Sequence, residues 1–191
     1  MGLRQTPSQT VGPFFSKALL HEGWNDLAVH GAAGQIIVIT GRVLDGDGAP
    51  VPDALLELWQ ANAAGRYNHL DDVRDTPLDP QFSGFGRAGT DAQGRFRFRT
   101  IKPGPVPGAG TSLQAPHINV SVFARGLLKR LVTRIYFPDE PLNANDPVLN
   151  SLPDTTRRAT LIARPAEGES KPDLSFDLVL QGDNETIFFD V

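Results

Sequence analysis

The chain contains no cysteine, which excludes disulfides and thiolate metal ligands and agrees with a reducing compartment. It contains no apolar run of about 18 residues, so no membrane-crossing helix is expected. Met1 to Gln5 lead into no apolar leader segment, and a cytoplasmic location is the expectation. An excess of basic charge is also missing: the formal net charge is −4. Neither nucleic acid nor an anionic membrane is therefore an expected partner. Tyrosine is scarce, with Tyr67 and Tyr136 alone, and there are four histidines. Any metal site built from phenolate and imidazole has to draw on that short list.

Glycine and proline, by contrast, are abundant, at 19 and 16 of 191 residues, and they punctuate short apolar runs. That pattern predicts an all-β fold: a β-sandwich of about seven to eight mainly antiparallel strands, with long loops, one short helix and an N-terminal arm. Residues 1–34 lack sustained periodicity and read as the arm, expected to contact a partner chain, because exposed Phe14 and Phe15 would be costly surface. Their packing into the chain's own core is the other reading. Residues 35–191 read as the sandwich domain.

Gln35 to Leu44 is a β-branched run closed by the turn signal Asp45-Gly46-Asp47-Gly48. Ala54 to Gln60 fits helix or strand by periodicity, and the turn before it favours strand. Residues 61–94 read as mostly irregular, and loops of that length are functional or lie at interfaces. Arg95 to Arg99 alternates Phe inward and Arg outward, and Val132 to Phe137 is a further strand ended by Pro138. Pro153 to Arg164 reads as the helix, with Asp154 as N-cap and Pro165 as stop. Leu174 to Leu180 and Glu185 to Phe189 are expected to form a final hairpin.

The most informative stretch runs from Thr100 to Val120. Pro103, Pro105 and Pro107 remove N–H donors and fix φ, so Thr100 to Pro107 must be a stiff extended loop. His117 to Phe123 alternates as a strand, which puts His117 and Asn119 on one face and Ile118 and Val120 on the other. A rigid loop beside two polar side chains at i and i+2 is good geometry for a metal. Yet imidazole is a competent ligand and a carboxamide oxygen a weak one. Arg134, in mid-strand with Val132 and Tyr136 on its own face, needs a counter-charge, either an internal carboxylate or a ligand.

Five phrases then stand in order: Thr6 to Pro13, Leu58 to Tyr67, Thr100 to Pro105, His117-Ile118-Asn119, and Arg134 to Phe137. Together they resemble the intradiol ring-cleaving dioxygenases, over nearly the whole chain. Within that family they resemble the alpha type of chain from two-chain members. The resemblance implies a heteromer with a beta subunit, in which Fe(III) is bound by the beta chain and not by this one. It implies 3,4-dihydroxybenzoate (protocatechuate) and O₂ as reactants at a shared site.

In the family's iron-binding chains the ligands are two tyrosinates and two histidines. At the matching positions this sequence has Arg74, Val106, His117 and Asn119. Guanidinium has no lone pair to give and Val no donor atom, so one ligand of four survives and no metal is expected here. The resemblance further implies that Thr10, Gly12 and Pro13 of the arm line the partner's pocket, and that Arg134 faces the substrate. Gly12 would let backbone approach a ligand closely and Pro13 would stiffen the approach. The bland alternative is a mere turn. Two other functions stay open: a stand-alone ferric enzyme using Tyr67 and Tyr136, and a non-enzymatic β-sandwich binding module.

Overall fold

The computed structural model describes residues 12, 18–166 and 173–190. In chain order the strands are β1 (Ile36–Leu44), β2 (Leu55–Trp59), β3 (Phe85–Gly89), β4 (Arg95–Ile101), β5 (Val106–Pro107), β6 (Leu113–Gln114), β7 (His117–Phe123), β8 (Leu131–Tyr136), β9 (Arg164–Pro165), β10 (Leu174–Ser175) and β11 (Leu178–Val179). They make two main sheets. One is the antiparallel set β3-β2-β7-β8; the other is centred on β1, which pairs antiparallel with β4 and parallel with β10 and β11. A small ribbon of β5 and β6 stands apart.

Alternation explains the packing. Ile37, Ile39, Phe96 and Phe98 from the first face of the core meet Leu56, Leu58, Val120, Val122 and Ile135 from the second, all buried. Burial of such side chains contributes roughly 1.5–3 kcal/mol each. The 54–60 run is a strand, as the preceding turn indicated. β7 also behaves as read: Ile118, Val120 and Val122 enter the core, and Asn119 and Ser121 stay half-exposed on the other face.

Three features differ from the sequence reading. Residues 61–94, read as mostly irregular, contain β3. Its core face is Gly86 and Ala88, too small to raise a hydrophobic signal. Gly86 is small for a reason, since a Cβ there would lie 2.4 Å from Leu27 Cδ1. Leu27, Ala28 and Ala32, inside the span read as arm, are buried in the core. The last hairpin turns as expected through Gly182, with Thr186 N–H donating to Val179 O at 2.9 Å. Its second arm then crosses to the opposite sheet, where Phe189 N–H donates to Val132 O at 2.8 Å.

The helix over 153–164 is present as Thr155–Arg158, continuing as a 3₁₀ turn Ala159–Leu161. Asp154 caps it, accepting the N–H groups of Thr156 and Arg157 at 2.8 and 3.2 Å. A second helical turn, Pro147–Ser151, precedes it and is capped by Asp146. Five residues are too few for periodicity to reveal. No described helix is long and apolar enough to cross a membrane.

Candidate functional site

Two of the sequence phrases are bonded to each other. Buried Gln60 donates through Nε2 to Ile101 O at 2.9 Å and accepts the Thr100 hydroxyl at 2.8 Å. Gly104 N–H donates to Asn62 O at 2.9 Å. Gly65 has φ +80°, and a Cβ on it would fall 2.0 Å from Pro105 O. Only glycine fits there. The loop after Trp59 is thus held directly against the stiff proline loop.

Together these loops wall a cavity of about 670 Å³ on the outer face of the β2-β7-β8 sheet. Register builds its floor. Trp59 pairs with Asn119 and Asn119 with Arg134, so three adjacent strands present these side chains in a row. In the next row His117 pairs with Tyr136. Tyr67 stacks on Trp59 with ring centroids 5.6 Å apart. Arg74 and Val106 close the sides.

The four positions read as remnants of a ligand set therefore come together. Arg74, Val106 and His117 line the cavity, and Asn119 donates its amide to the Tyr67 hydroxyl and to Trp59 O, both at 3.3 Å. Of the positions read as pocket wall, Arg134 lines this same cavity. Thr10 and Pro13 lie outside the described residues. Gly12 is exposed, and beyond its chain neighbours no described heavy atom lies within 4 Å of its would-be Cβ.

Electrostatics divides the two arginines. Arg74 grips Asp72 at both carboxylate oxygens, one bond being 2.7 Å, and also donates to Gly65 O at 2.8 Å. That pairing holds the Asp72 carboxyl down at about 2. Asp72 accepts Tyr67 N–H as well, at 2.8 Å, which ties the aromatic wall to the ion pair. Arg134 has no carboxylate within 4 Å among the described residues. It donates through Nη1 to Gln114 Oε1 at 2.7 Å and to the Tyr136 hydroxyl at 3.2 Å. An internal counter-ion in direct contact, one of the two readings of this residue, is not provided by any described residue.

His117 is buried, with Nδ1 2.7 Å from Ala115 O. A carbonyl only accepts, so Nδ1 carries the proton and Nε2 the lone pair. Burial first and the Arg134 charge second push its pKa down to about 4, so the ring is neutral at pH 7. Burial raises the phenols of Tyr67 and Tyr136 above their ordinary value.

This donor set does not fit Fe(III). His117 offers one nitrogen. Arg74 is spent on Asp72, Val106 is hydrocarbon, and Asn119 directs its amide N–H groups at oxygens. Tyr136 is buried between Asp146 and Arg134, and a phenol whose pKa is raised is a poor source of phenolate. Among the described residues no three His, Cys, Asp or Glu converge.

Sequence reasoning missed Asp72, Gln114 and Asp146. Asp72 falls in the 61–94 stretch, which reads as mostly irregular. Gln114 falls in the Thr100 to Val120 stretch, outside its stiff proline loop, and has no role assigned by the sequence. Asp146 precedes Pro147, an N-cap signal that was legible.

Comparison with known proteins adds four findings. The model of a family described as Dioxygenase (Dioxygenase_C) matches residues 11–182. The protocatechuate 3,4-dioxygenase alpha chain of Burkholderia cepacia is 44% identical over 202 residues, covering 99% of this chain and 98% of that one. The beta chain from the same organism is 48% identical over 160 residues, covering 80% of this chain and 67% of its own. Among solved structures, the dioxygenase domain of a carbohydrate-binding fusion protein from Streptomyces sp. SirexAA-E superposes with TM-score 0.63. It is 28% identical and covers 94% of this chain and 99% of that one.

Proposed function

This chain belongs to the intradiol dioxygenase family, and from that premise we propose that it is the alpha-type subunit of a protocatechuate 3,4-dioxygenase. It would pair with a beta-type subunit in the cytoplasm. The assembled enzyme converts 3,4-dihydroxybenzoate and O₂ into 3-carboxy-cis,cis-muconate, both oxygen atoms entering the product. Fe(III) and its ligands belong to the beta chain.

The observation that carries this reading is the full-length match to an alpha chain. The donor set at Arg74, Val106, His117 and Asn119 agrees with it, because a chain holding one nitrogen of four ligands needs a partner to do the chemistry. The role left to this chain is to shape and charge the pocket. Thr10, Gly12 and Pro13 of the arm contribute wall, and Arg134 contributes the cation that meets the substrate carboxylate. The arm within residues 1–34 contacts the partner, and residues 35–191 form the sandwich, with Leu27, Ala28 and Ala32 packed into its core.

The test is co-expression with a beta-type chain carrying the full ligand set. The two chains are expected to co-purify, iron to scale with the beta chain, and O₂ uptake with 3,4-dihydroxybenzoate to require both. This chain alone, refolded with Fe(III), is expected to stay colourless. A tyrosinate-to-iron absorption band with turnover from this chain alone would overturn the reading.

A further inference from the structure

Behind Arg134 lies a fully buried carboxylate, that of Asp146. Four donors converge on it: the N–H groups of Ala115, Val148 and Leu149 at 2.7, 2.9 and 2.8 Å, and the Tyr136 hydroxyl at 3.2 Å. Arginine donates and never accepts, so the Tyr136 oxygen must accept from Arg134 Nη1. The single phenolic proton is then given to Asp146. The chain of bonds runs one way, from Arg134 through Tyr136 to Asp146.

Gln114 holds the same Nη1 from the other side, and its own Nε2 donates to Pro107 O at 3.1 Å on the stiff loop. Nη1 is therefore pinned between two acceptors. Nε and Nη2 of Arg134 have no acceptor among the described residues. Those two nitrogens share one edge of the guanidinium, the edge that meets a carboxylate with two parallel bonds. A carboxylate in direct contact would occupy that edge. Asp146 instead stands one phenol away and supplies negative charge without blocking it.

We propose that Tyr136, backed by Asp146, is a positioning residue that turns Arg134 so that its Nε–Nη2 edge faces the substrate carboxylate. This rests on the reading that Arg134 binds that carboxylate, and it assigns carboxylate selectivity to two buried groups that touch no substrate. Ala115 ties the same carboxylate to His117, the row partner of Tyr136, since its N–H goes to Asp146 and its O takes the His117 proton.

The test uses the assembled two-chain enzyme and the ratio of kcat/KM for 3,4-dihydroxybenzoate to that for catechol, which lacks the carboxylate. One hydrogen bond of this kind corresponds to roughly a twofold to twelvefold change. Tyr136→Phe is expected to lower the ratio by about that factor, mainly through KM for the acid. In an Arg134→Leu background the same substitution should leave the ratio unchanged. Gln114→Leu, on the half-exposed ribbon, removes the second anchor without touching the core and should repeat the pattern. Equal losses on both substrates, or an undiminished effect of Tyr136→Phe without Arg134, would overturn the positioning role. If Arg134→Leu itself leaves the ratio intact, the reading beneath it fails as well. If Arg134→Leu lowers the ratio while neither Tyr136→Phe nor Gln114→Leu does, the positioning role alone is wrong.

Discussion

Asp72 and Arg74 stand two residues apart and form a two-point ion pair at the side of the cavity, where the family's iron-binding chains are expected to carry a tyrosinate. The pair also fastens the backbone of Tyr67 and the carbonyl of Gly65. The pair thus acts as a clasp on this loop. Removing Arg74 leaves a carboxylate with 8% exposed side-chain area and no cation. Hydrogen bonds to charged groups contribute about 1.5–3 kcal/mol, and because Arg74 is itself a third exposed the low end applies. Arg74→Leu should lower the unfolding free energy by about 1.5 kcal/mol in urea titrations. A change within error would show that the clasp adds nothing.

The clasp also has a pH signature. Asp72 has a folded pKa of about 2, below its unfolded value of 3.8, so the unfolded chain binds the proton more tightly. Its stabilisation is complete above the unfolded value and is lost as pH falls through about 2. His117 acts higher up the scale, because its folded pKa of about 4 lies below the ordinary 6.5. The neutral folded ring stabilises fully above 6.5, and that contribution fades as pH falls toward about 4. The span corresponds to roughly 3 kcal/mol. Urea unfolding of wild type and His117→Leu at several pH values should show the wild type losing its advantage between about pH 6.5 and 4. Parallel curves across that window would contradict a buried neutral imidazole.

Much of this arrangement was legible in the chain and some of it was not, for identifiable reasons. The proline spacing from 103 to 107 forces extended backbone in any fold, although the ends of the stretch read as loop are strand, Thr100 and Ile101 closing β4 and Val106–Pro107 pairing with β6. The alternation of His117 to Phe123 forces His117 and Asn119 onto one face. Asp154 announced its helix. β3 stayed hidden because Gly86 and Ala88 are buried by neighbours that sequence cannot place, Leu27 among them. Arg134 visibly needed a counter-charge, yet the buried carboxylate behind it stands one phenol away, a relation between residues 134, 136 and 146 that only tertiary structure creates. The Asp72–Arg74 clasp escaped because i and i+2 in a loop have no fixed geometry.

The arm offers a separate test. Residues 1–13 are a mostly polar stretch whose large apolar side chains are only Met1, Leu3 and Val11, so little hydrophobic burial is expected of them. Deleting them should leave the thermal midpoint of the chain nearly unchanged while the assembled enzyme loses ring-cleavage rate. Both are measured on one preparation, with co-purification showing that the partner is still held. Full turnover in an intact assembly would remove Thr10, Gly12 and Pro13 from the pocket wall.

Arg134 carries the most exposed prediction. Its guanidinium lines the cavity with no carboxylate in reach among the described residues. A charge-assisted bond to a substrate carboxylate contributes about 1.5–3 kcal/mol. Arg134→Leu in the assembled enzyme should therefore lower kcat/KM for 3,4-dihydroxybenzoate by roughly tenfold to 150-fold. Catechol, with no carboxylate, should lose far less. Arg134→Lys separates charge from shape: it keeps the cation but not the planar fork, so it should recover part of the loss and not all of it. Assembly must be verified for each variant by co-purification, since a chain that no longer pairs would lose both activities together. With pairing intact, equal losses on the acid and on catechol would make Arg134 a structural member of the β8 face, held by Gln114 and Tyr136 for packing alone.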